Sequence, residues 1–363
     1  LNEQQTLGPL LDEAKAVFAG QEQIDWEILV ADNGSTDQSI AIAKSKGARV
    51  VSIAERGYGS AVNGGILAAN TDYVVYADAD GTYAPSDALK LVETLHHEQA
   101  DLVLGNRMQG GIENGAMPFL HRYLGTPVLS FLLRWLHGVP TSDCNSGMRG
   151  IRRSAYATWQ PLSAGMEFAS SMLIQANHSG SKIIEFPVRL RRAPVGRIPH
   201  LRSWRDGMRH LLVVLSSAPH FFWNSGGVLL SFSTLIACLC FLDDIHLGVW
   251  GFGPHTLALA TVSAYIGTFQ LNVALMIYAR KEVRVPRLAQ RLIHLEEGFL
   301  LWSLAFLLGG LFVGVGILLW KWWQLSFGGL SYVKAALGIV YFEVTSLSLI
   351  LGLFQVHLMK RLK

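Results

Sequence analysis

Cysteine is nearly absent from this 363-residue sequence, which has three. Cys144 stands alone, and Cys238 and Cys240 sit inside an apolar run. Neither a Cys-x-x-Cys zinc site nor a disulfide-stapled secreted scaffold is therefore indicated. No Gly-x-Gly-x-x-Gly follows the first strand pattern, so the 36 glycines do not make a dinucleotide fingerprint. No signal-peptide pattern opens the sequence. Charged residues are also scarce, at 16%, and the scarcity is local. Residues 1–218 hold 20 Lys+Arg and 21 Asp+Glu, whereas the remaining 145 residues hold 10 and 6. A wholly cytosolic enzyme is excluded by that second part.

What the second part has instead is long apolar runs. Four spans of the roughly 20 residues needed to cross a bilayer are predicted at about 221–242, 256–278, 299–320 and 335–358. Arg280, Lys281, Arg284, Arg287 and Arg291 lie between spans two and three, and the sequence ends Lys360, Arg361, Lys363. The positive-inside rule puts both basic segments, and with them residues 1–218, on the cytoplasmic side of the cell membrane. Trp223, Trp250, Trp302, Trp320, Trp322 and Trp323 crowd the expected interfaces. Two segments, 200–218 and 282–297, mix basic and apolar residues as interfacial amphipathic helices do. Arg284, Arg287 and Arg291 in the second answer equally well to anionic lipid head groups alone. Glu343 interrupts the fourth span and has two readings, a functional intramembrane carboxyl or a group facing the bundle or the outer interface.

The first part alternates helix and strand patterns. Helix is expected over Leu7–Phe18, strand over Trp26–Ala31, a helix capped by Ser35 through Lys46, strand over Arg49–Ile53, a glycine-rich helix start in Gly57–Asn70, and strand over Tyr73–Ala77. That βαβ series predicts an α/β domain with a parallel sheet and ligands beyond the strand ends. Two acidic clusters fall there, Asp32-Asn33-Gly34-Ser35-Thr36-Asp37 and Asp78-Ala79-Asp80-Gly81. An Asp-x-Asp at a strand end can present two carboxylates to one hard cation such as Mg²⁺ or Mn²⁺, shared with substrate phosphates; Asp and Gly also simply make turns. The glycines of Gly57–Gly65 could cradle phosphate or serve close helix packing.

From Gly105 the sequence turns basic and irregular, with Asn106-Arg107, a GGIENG loop, and a helix from about Pro118 to Leu136 carrying His121 and Arg122. Asp143 to Arg149 leads into a strand, Gly165-Met166-Glu167-Phe168 opens a helix, and Ile183–Arg191 is a further strand. Residues 182–209 hold eight Lys/Arg against two acids. This basic stripe runs into a membrane segment without interleaved aromatics, which favours a lipid phosphate over nucleic acid.

Taken in order, LNEQ (1–4), ADNGSTD (31–37), DADGTY (78–83), GNR (105–107), GAMPFLHRYLG (115–125), SGMRGIRR (146–153), GMEF (165–168) and PHLRSWRDGMRHL (199–211) resemble the polyprenyl-phosphate glycosyltransferases of glycosyltransferase family 2, of the dolichyl-phosphate mannose/glucose synthase-like branch. The resemblance implies a GT-A (Rossmann-like) catalytic domain at 1–199, an interfacial helix at 200–218 and a transmembrane domain at 219–363. It implies inverting transfer of a hexose from a GDP- or UDP-linked sugar to a membrane polyprenyl or dolichyl phosphate, with Mg²⁺ or Mn²⁺. Position by position, Glu3 and Asp32 correspond to nucleotide contacts and Asp78 and Asp80 to the metal pair. Arg107, Arg122 and Thr126 correspond to acceptor-phosphate contacts, Arg149 and Arg197 to phosphate or loop-closing contacts, and Glu167 to the acid on the sugar side. The family fold begins with a strand ahead of the LNE-type residues, and because a sheet without it would be costly, that strand is expected upstream of residue 1. Thr82, Ser171 and Thr126 depart from frequent family residues, which leaves the sugar open; oligomeric state is open too.

A phosphate acceptor is already a competent nucleophile, so the chemistry needs alignment and leaving-group stabilisation more than a base. A processive polysaccharide synthase would carry a Gln-x-x-Arg-Trp-type motif, and Arg202-Ser203-Trp204-Arg205 is only a partial echo of it. A non-catalytic lipid or glycan carrier has no use for Asp78 and Asp80.

Overall fold

In the computed structural model of the chain, the described residues are 1–159, 163–194, 203–241, 246–247, 250–280, 284–324 and 333–361. They form two compact units, Leu1–Ser217 and Ala218–Lys363. Arg197 and Arg202 lie outside the described residues.

The first unit runs α1 (Leu7–Phe18), β1 (Leu29–Asp32), α2 (Ser39–Ser45), β2 (Arg49–Ser52), α3 (Tyr58–Ala68), β3 (Tyr73–Tyr76), α4 (Pro85–His97), β4 (Leu102–Asn106) and α5 (Arg107–Gly110). A π-helical turn (His121–Gly125) then leads into α6 (Thr126–His137), β5 (Arg149–Arg152), α7 (Arg153–Tyr156), α8 (Phe168–His178), β6 (Ile183–Pro187) and α9 (Ser203–Ser216). The expected single parallel sheet is instead two sheets. β1 and β2 pair in parallel, and a four-stranded sheet has the order β3-β5-β4-β6. β5 enters from the loop after α6 and runs back antiparallel to both β3 and β4, so only β4–β6 is a parallel pair there. Ser35 is not the cap of α2, which begins later, at Ser39. The backbone N–H groups of Gly34 and Ser35 turn inward to the Asp32 carboxylate, and the Ser35 hydroxyl accepts from Asn2 N.

β4 is buried along its whole length, and its side chains alternate between two cores. Leu102 and Leu104 join Ile151, Phe168, Met172 and Leu133 on one face. Val103 joins Leu91, Leu95, Met148 and Val188 on the other. This two-sided burial fixes the carboxyl end of β4, where Asn106 and Arg107 begin the site. α6 ends at Gly138 (φ 70°, ψ 14°), whose N–H reaches back to the Leu133 and Arg134 carbonyls, the left-handed stop that glycine favours.

The second unit comprises α10 (Pro219–Phe241), the two-residue strands β7 (His246–Leu247) and β8 (Trp250–Gly251), α11 (Pro254–Arg280), α12 (Arg287–Ile293), α13 (Glu297–Gln324) and α14 (Val333–Arg361). α10, α11, α13 and α14 are long and apolar enough to cross a membrane. α10 and α11 approach closely at Gly226 and Gly267: a methyl on Gly226 would sit 2.7 Å from the Gly267 carbonyl oxygen. Between α11 and α14, Asn272 donates to the Ser348 carbonyl (2.8 Å) and Thr268 to the Ser348 hydroxyl (3.1 Å). Glu343 is buried inside this unit, its carboxylate close to Gly310 of α13, so it faces the helix bundle.

Candidate active site

The acidic turn after β3 is built by close contacts. The Asp80 Oδ1 accepts from the Thr82 N–H (3.0 Å) and the Thr82 hydroxyl (2.6 Å), which fixes that carboxylate's rotamer. Asp78 lies over Gly147, where a methyl group would stand 2.2 Å from Oδ2, so the contact exists only because residue 147 has no side chain. The Thr6 hydroxyl donates to the Ala79 carbonyl (2.8 Å) and ties the buried Glu3 segment to this turn. Glu3 itself is anchored through its N–H to the Ser39 hydroxyl (2.9 Å). Asp32, at the end of β1, is buried; burial opposes its ionisation, but the hydrogen bonds from Ser35 and Gly34 outweigh it and hold the carboxyl below its ordinary range.

Asp78 and Asp80 present hard oxygen donors, the set that suits Mg²⁺ or Mn²⁺. Among the described residues no group of three or more His, Cys, Asp or Glu side chains gathers as a metal cage. Asp78 and Asp80 are the residues that would hold such a cation, which would supply charge to stabilise a departing diphosphate.

The residues of the 143–149 loop tie the rest together. Asp143 forks onto Arg107, with Oδ2 to Nε at 2.8 Å and Oδ1 to Nη2 at 2.6 Å. Asn145 reaches the Thr126 hydroxyl (3.4 Å), and the Gly147 N–H donates to the Tyr83 hydroxyl (2.8 Å). Burial disfavours the Arg107 charge, but Tyr83, Asp143 and Asp78 together outweigh it and raise its pKa. Burial raises Tyr58, Tyr76 and Tyr83, with Tyr76 pushed up to about 12, and the Asp78 charge adds to all three. His121 is lowered by burial and then by Arg107, which puts the imidazole beside Arg122 within reach of the Arg107 field. The Arg122 guanidinium stacks over the Tyr123 ring at 5.4 Å.

Of the two roles implied for Arg149, phosphate contact or loop closing, the structure favours the second: its side chain is fully buried and donates to the Ser146, Ala169 and Cys144 carbonyls (3.2, 2.9 and 2.8 Å). It holds the 144–146 segment from behind, as a loop-closing residue. Glu167 stands just before α8, with Oε2 buried and making no hydrogen bond among the described residues. The glycines of α3 resolve in favour of packing: Gly57 (φ 143°) and Gly59 admit the Ala164 and Ser163 carbonyl oxygens to 2.2 Å of where a methyl group would be.

Several residues went unassigned at the level of sequence. Thr82 orients Asp80, Gly147 makes room for Asp78, and Asp143 holds Arg107. Glu185 of β6 accepts from Asn106 Nδ2, Thr141 Oγ1, Ser142 N and Ser142 Oγ, bracing the loop in front of Asp143. Only Asp143 left a visible trace, as an acid inside an otherwise small and polar run before a strand. A second unforeseen feature is apolar exposure before and along α6, where Phe119, Tyr123, Phe131 and Trp135 are each more than half exposed; Trp204, Met208 and Leu212 along α9, in the segment expected to be interfacial, are exposed to a similar degree. α6 and α9 are packed on each other, with His137 Nε2 hydrogen-bonded to the Val214 carbonyl (2.8 Å).

Residues 1–159 match the Glycosyl transferase family 2 model. A low-salt glycan biosynthesis hexosyltransferase, Agl6, from Haloferax volcanii is 32% identical over 361 residues, covering 98% of this chain and 86% of the relative. The chain belongs to glycosyltransferase family 2. It is thus a glycosyltransferase, with the α/β GT-A class of fold followed by four candidate membrane helices. A dolichyl-phosphate hexose transferase from the same organism is 31% identical over 187 residues, 52% of this chain and 80% of the relative. Among solved structures, glucosyl-3-phosphoglycerate synthase from Mycobacterium tuberculosis, in complex with Mn²⁺, UDP and glucosyl-3-phosphoglycerate, superimposes with a TM-score of 0.49 at 23% identity, over 60% of this chain and 77% of that one.

Proposed function

We propose that this family 2 enzyme transfers a hexose, with inversion, from a GDP- or UDP-linked sugar to the phosphate of a membrane polyprenyl or dolichyl phosphate. The observation that carries the reading is the convergence on the 143–149 loop of the acidic turn and of the arginine implied for the acceptor: Gly147 lies against Asp78 while Asp143 grips Arg107. A soluble acceptor would give no reason for apolar side chains standing out from α6 and α9 in the catalytic unit. Those faces fit a lipid–water boundary, where aromatic and basic residues mix. The dolichyl-phosphate hexose transferase among the relatives points to the same acceptor class.

In this reading Glu3 and Asp32 contact the nucleotide, and Asp78 and Asp80 hold Mg²⁺ or Mn²⁺. When bound, the cation supplies electrophilic stabilisation of the departing nucleoside diphosphate. Glu167 Oε2, buried and unbonded, is the acid available to a sugar hydroxyl. Arg107, Arg122 and Thr126 receive the lipid phosphate, which attacks the anomeric carbon as an anion without a protein base. Each charge-assisted contact contributes about 1.5–3 kcal/mol. Arg197 belongs to the same acceptor set by resemblance. By the positive-inside rule, the basic segments beside α12 and at the end of α14 support a cytoplasmic catalytic unit at the cell membrane.

The test is a panel of nucleotide sugars offered to the purified full chain with Mg²⁺ or Mn²⁺ and short polyprenyl phosphates, with product lipid read by mass. One donor should yield a lipid heavier by a hexose. Absence of lipid product from every donor, with intact protein, would remove the proposal.

A further inference from the structure

We infer that Asp143 is a positioning residue for Arg107: it binds one edge of the guanidinium and sets the other toward an incoming phosphate. This rests on the reading that Arg107 meets the acceptor. The Asp143 carboxylate takes the Nε–Nη2 edge side-on, and its Oδ2 also accepts the backbone N–H of Arg107 (2.9 Å). Backbone and side chain of the same arginine are thereby locked by one acid. Nη1 donates to no protein group among the described residues, so one side of the fork is left unfilled in a side chain only 11% exposed. Arginine binds phosphate through two parallel N–H donors, and the edge that includes Nη1 is the one that remains.

The lock is itself braced. Asp143 is fully buried, and its N–H donates to Thr141 Oγ1 and Glu185 Oε1, both at 3.2 Å. Glu185 also accepts from Asn106 Nδ2 (2.8 Å), and the Asn106 side-chain oxygen accepts from Gln109 N (3.0 Å) at the start of α5. Arg107 is the first residue of that helix. A buried ion pair is seldom the most stable filling of a core, since apolar residues of similar volume often serve as well or better. A pair that keeps one donor edge open serves to hold that edge in a fixed direction, which lowers the ordering cost when the ligand arrives.

Asp143→Asn preserves shape but turns an amide N–H₂ toward the arginine donors, so the guanidinium loses its orientation. In the full chain we expect the KM for polyprenyl phosphate to rise about tenfold or more, with the donor KM held within about twofold. Added to Arg107→Ala, the same substitution should cost nothing further, because the two side chains act as a unit. An equal rise for both substrates, or an Asp143→Asn loss that recurs undiminished without Arg107, overturns the inference. Asp143→Asn with a normal lipid KM beside a crippled Arg107→Ala overturns the inference alone. A normal lipid KM in Arg107→Ala removes the acceptor reading and this inference with it. Should Asp143→Asn fail to fold, Ser142→Ala loosens the brace and leaves the ion pair in place. It should raise the lipid KM alone, about two- to fivefold, and an unchanged value there also overturns the inference.

Discussion

Replacing Gly147 with alanine puts the metal-site geometry under a defined strain. The added methyl would lie 2.2 Å from Asp78 Oδ2, 2.8 Å from Cγ and 3.2 Å from Oδ1, against an ordinary contact that begins near 3.4 Å. The carboxylate must therefore move by about 1.2 Å, the difference between 3.4 and 2.2, or swing to another rotamer. Gly147 is not in the left-handed region, so alanine meets no backbone penalty and the collision is the whole effect. Metal–oxygen distances are held to about 0.2 Å, so a displacement several times that would disrupt the proposed holding of a cation by Asp78 and Asp80 together. A misplacement of about 1 Å near the reacting centre costs on the order of 10²-fold in rate. The assay is Mn²⁺ titration of the purified full chain, by electron paramagnetic resonance in the presence of nucleoside diphosphate, alongside turnover. Gly147→Ala should weaken Mn²⁺ binding and lower kcat on the order of 10²-fold with the thermal melt of the catalytic unit nearly unchanged. Wild-type Mn²⁺ affinity and turnover in that variant would show that Asp78 does not ligate the metal from this position.

Asp80→Asn should abolish most transfer while leaving the protein folded, as measured by product formation and circular dichroism; Thr82→Val, which removes one of the two bonds to Asp80 Oδ1, should give a milder loss of about 1 kcal/mol in transition-state stabilisation. Arg122→Ala should raise the KM for lipid phosphate more than that for the donor, and equal effects would argue against an acceptor contact. His210 of α9 is buried against the Ser170 hydroxyl (2.8 Å), and burial, then Arg149, depress it to about 4, partly offset by Glu167 and Asp206. A base with a depressed folded pKa binds more protons when unfolded, so stability is full above its ordinary 6.5 and is lost as pH falls toward 4. The loss reaches about 3 kcal/mol below the folded value, and acid melts of wild type against His210→Gln should differ by a shallower pH slope in the variant.

The helices and strands were legible where local pattern decides them. α1 lies at the span its apolar spacing predicts; α11, α13 and α14 contain the second, third and fourth apolar runs, and α10 covers the first through Phe241. What escaped was set by tertiary contact. The direction of β5 depends on how the chain returns from α6, and nothing within Arg149–Arg152 encodes antiparallel pairing. Ser35 fits a cap by residue type, but Asp32 captures the nearby N–H groups first. Arg149 has the residue type of a phosphate ligand, yet its guanidinium is taken up by the carbonyls of Cys144 and Ser146 just before it and of Ala169 twenty residues on, a burial that only the folded loop reveals. The acidic pair and Arg107 could be read from their motif positions. Their supports could not, because Gly147 matters through an empty volume and Glu185 through a loop more than 40 residues away. The apolar side of α6 was hidden for a related reason: a stripe of Phe131 and Trp135 predicts burial unless a membrane takes the place of the core.

The most direct measurement is the stoichiometry and connectivity of the product made by the reconstituted full chain from labelled sugar nucleotide, polyprenyl phosphate and Mn²⁺. The account predicts one nucleoside diphosphate released per labelled lipid, with the sugar bonded through its anomeric carbon to a single lipid phosphate visible by phosphorus NMR. Release of nucleoside monophosphate with a lipid diphosphate product, or label found only in free sugar, would contradict it.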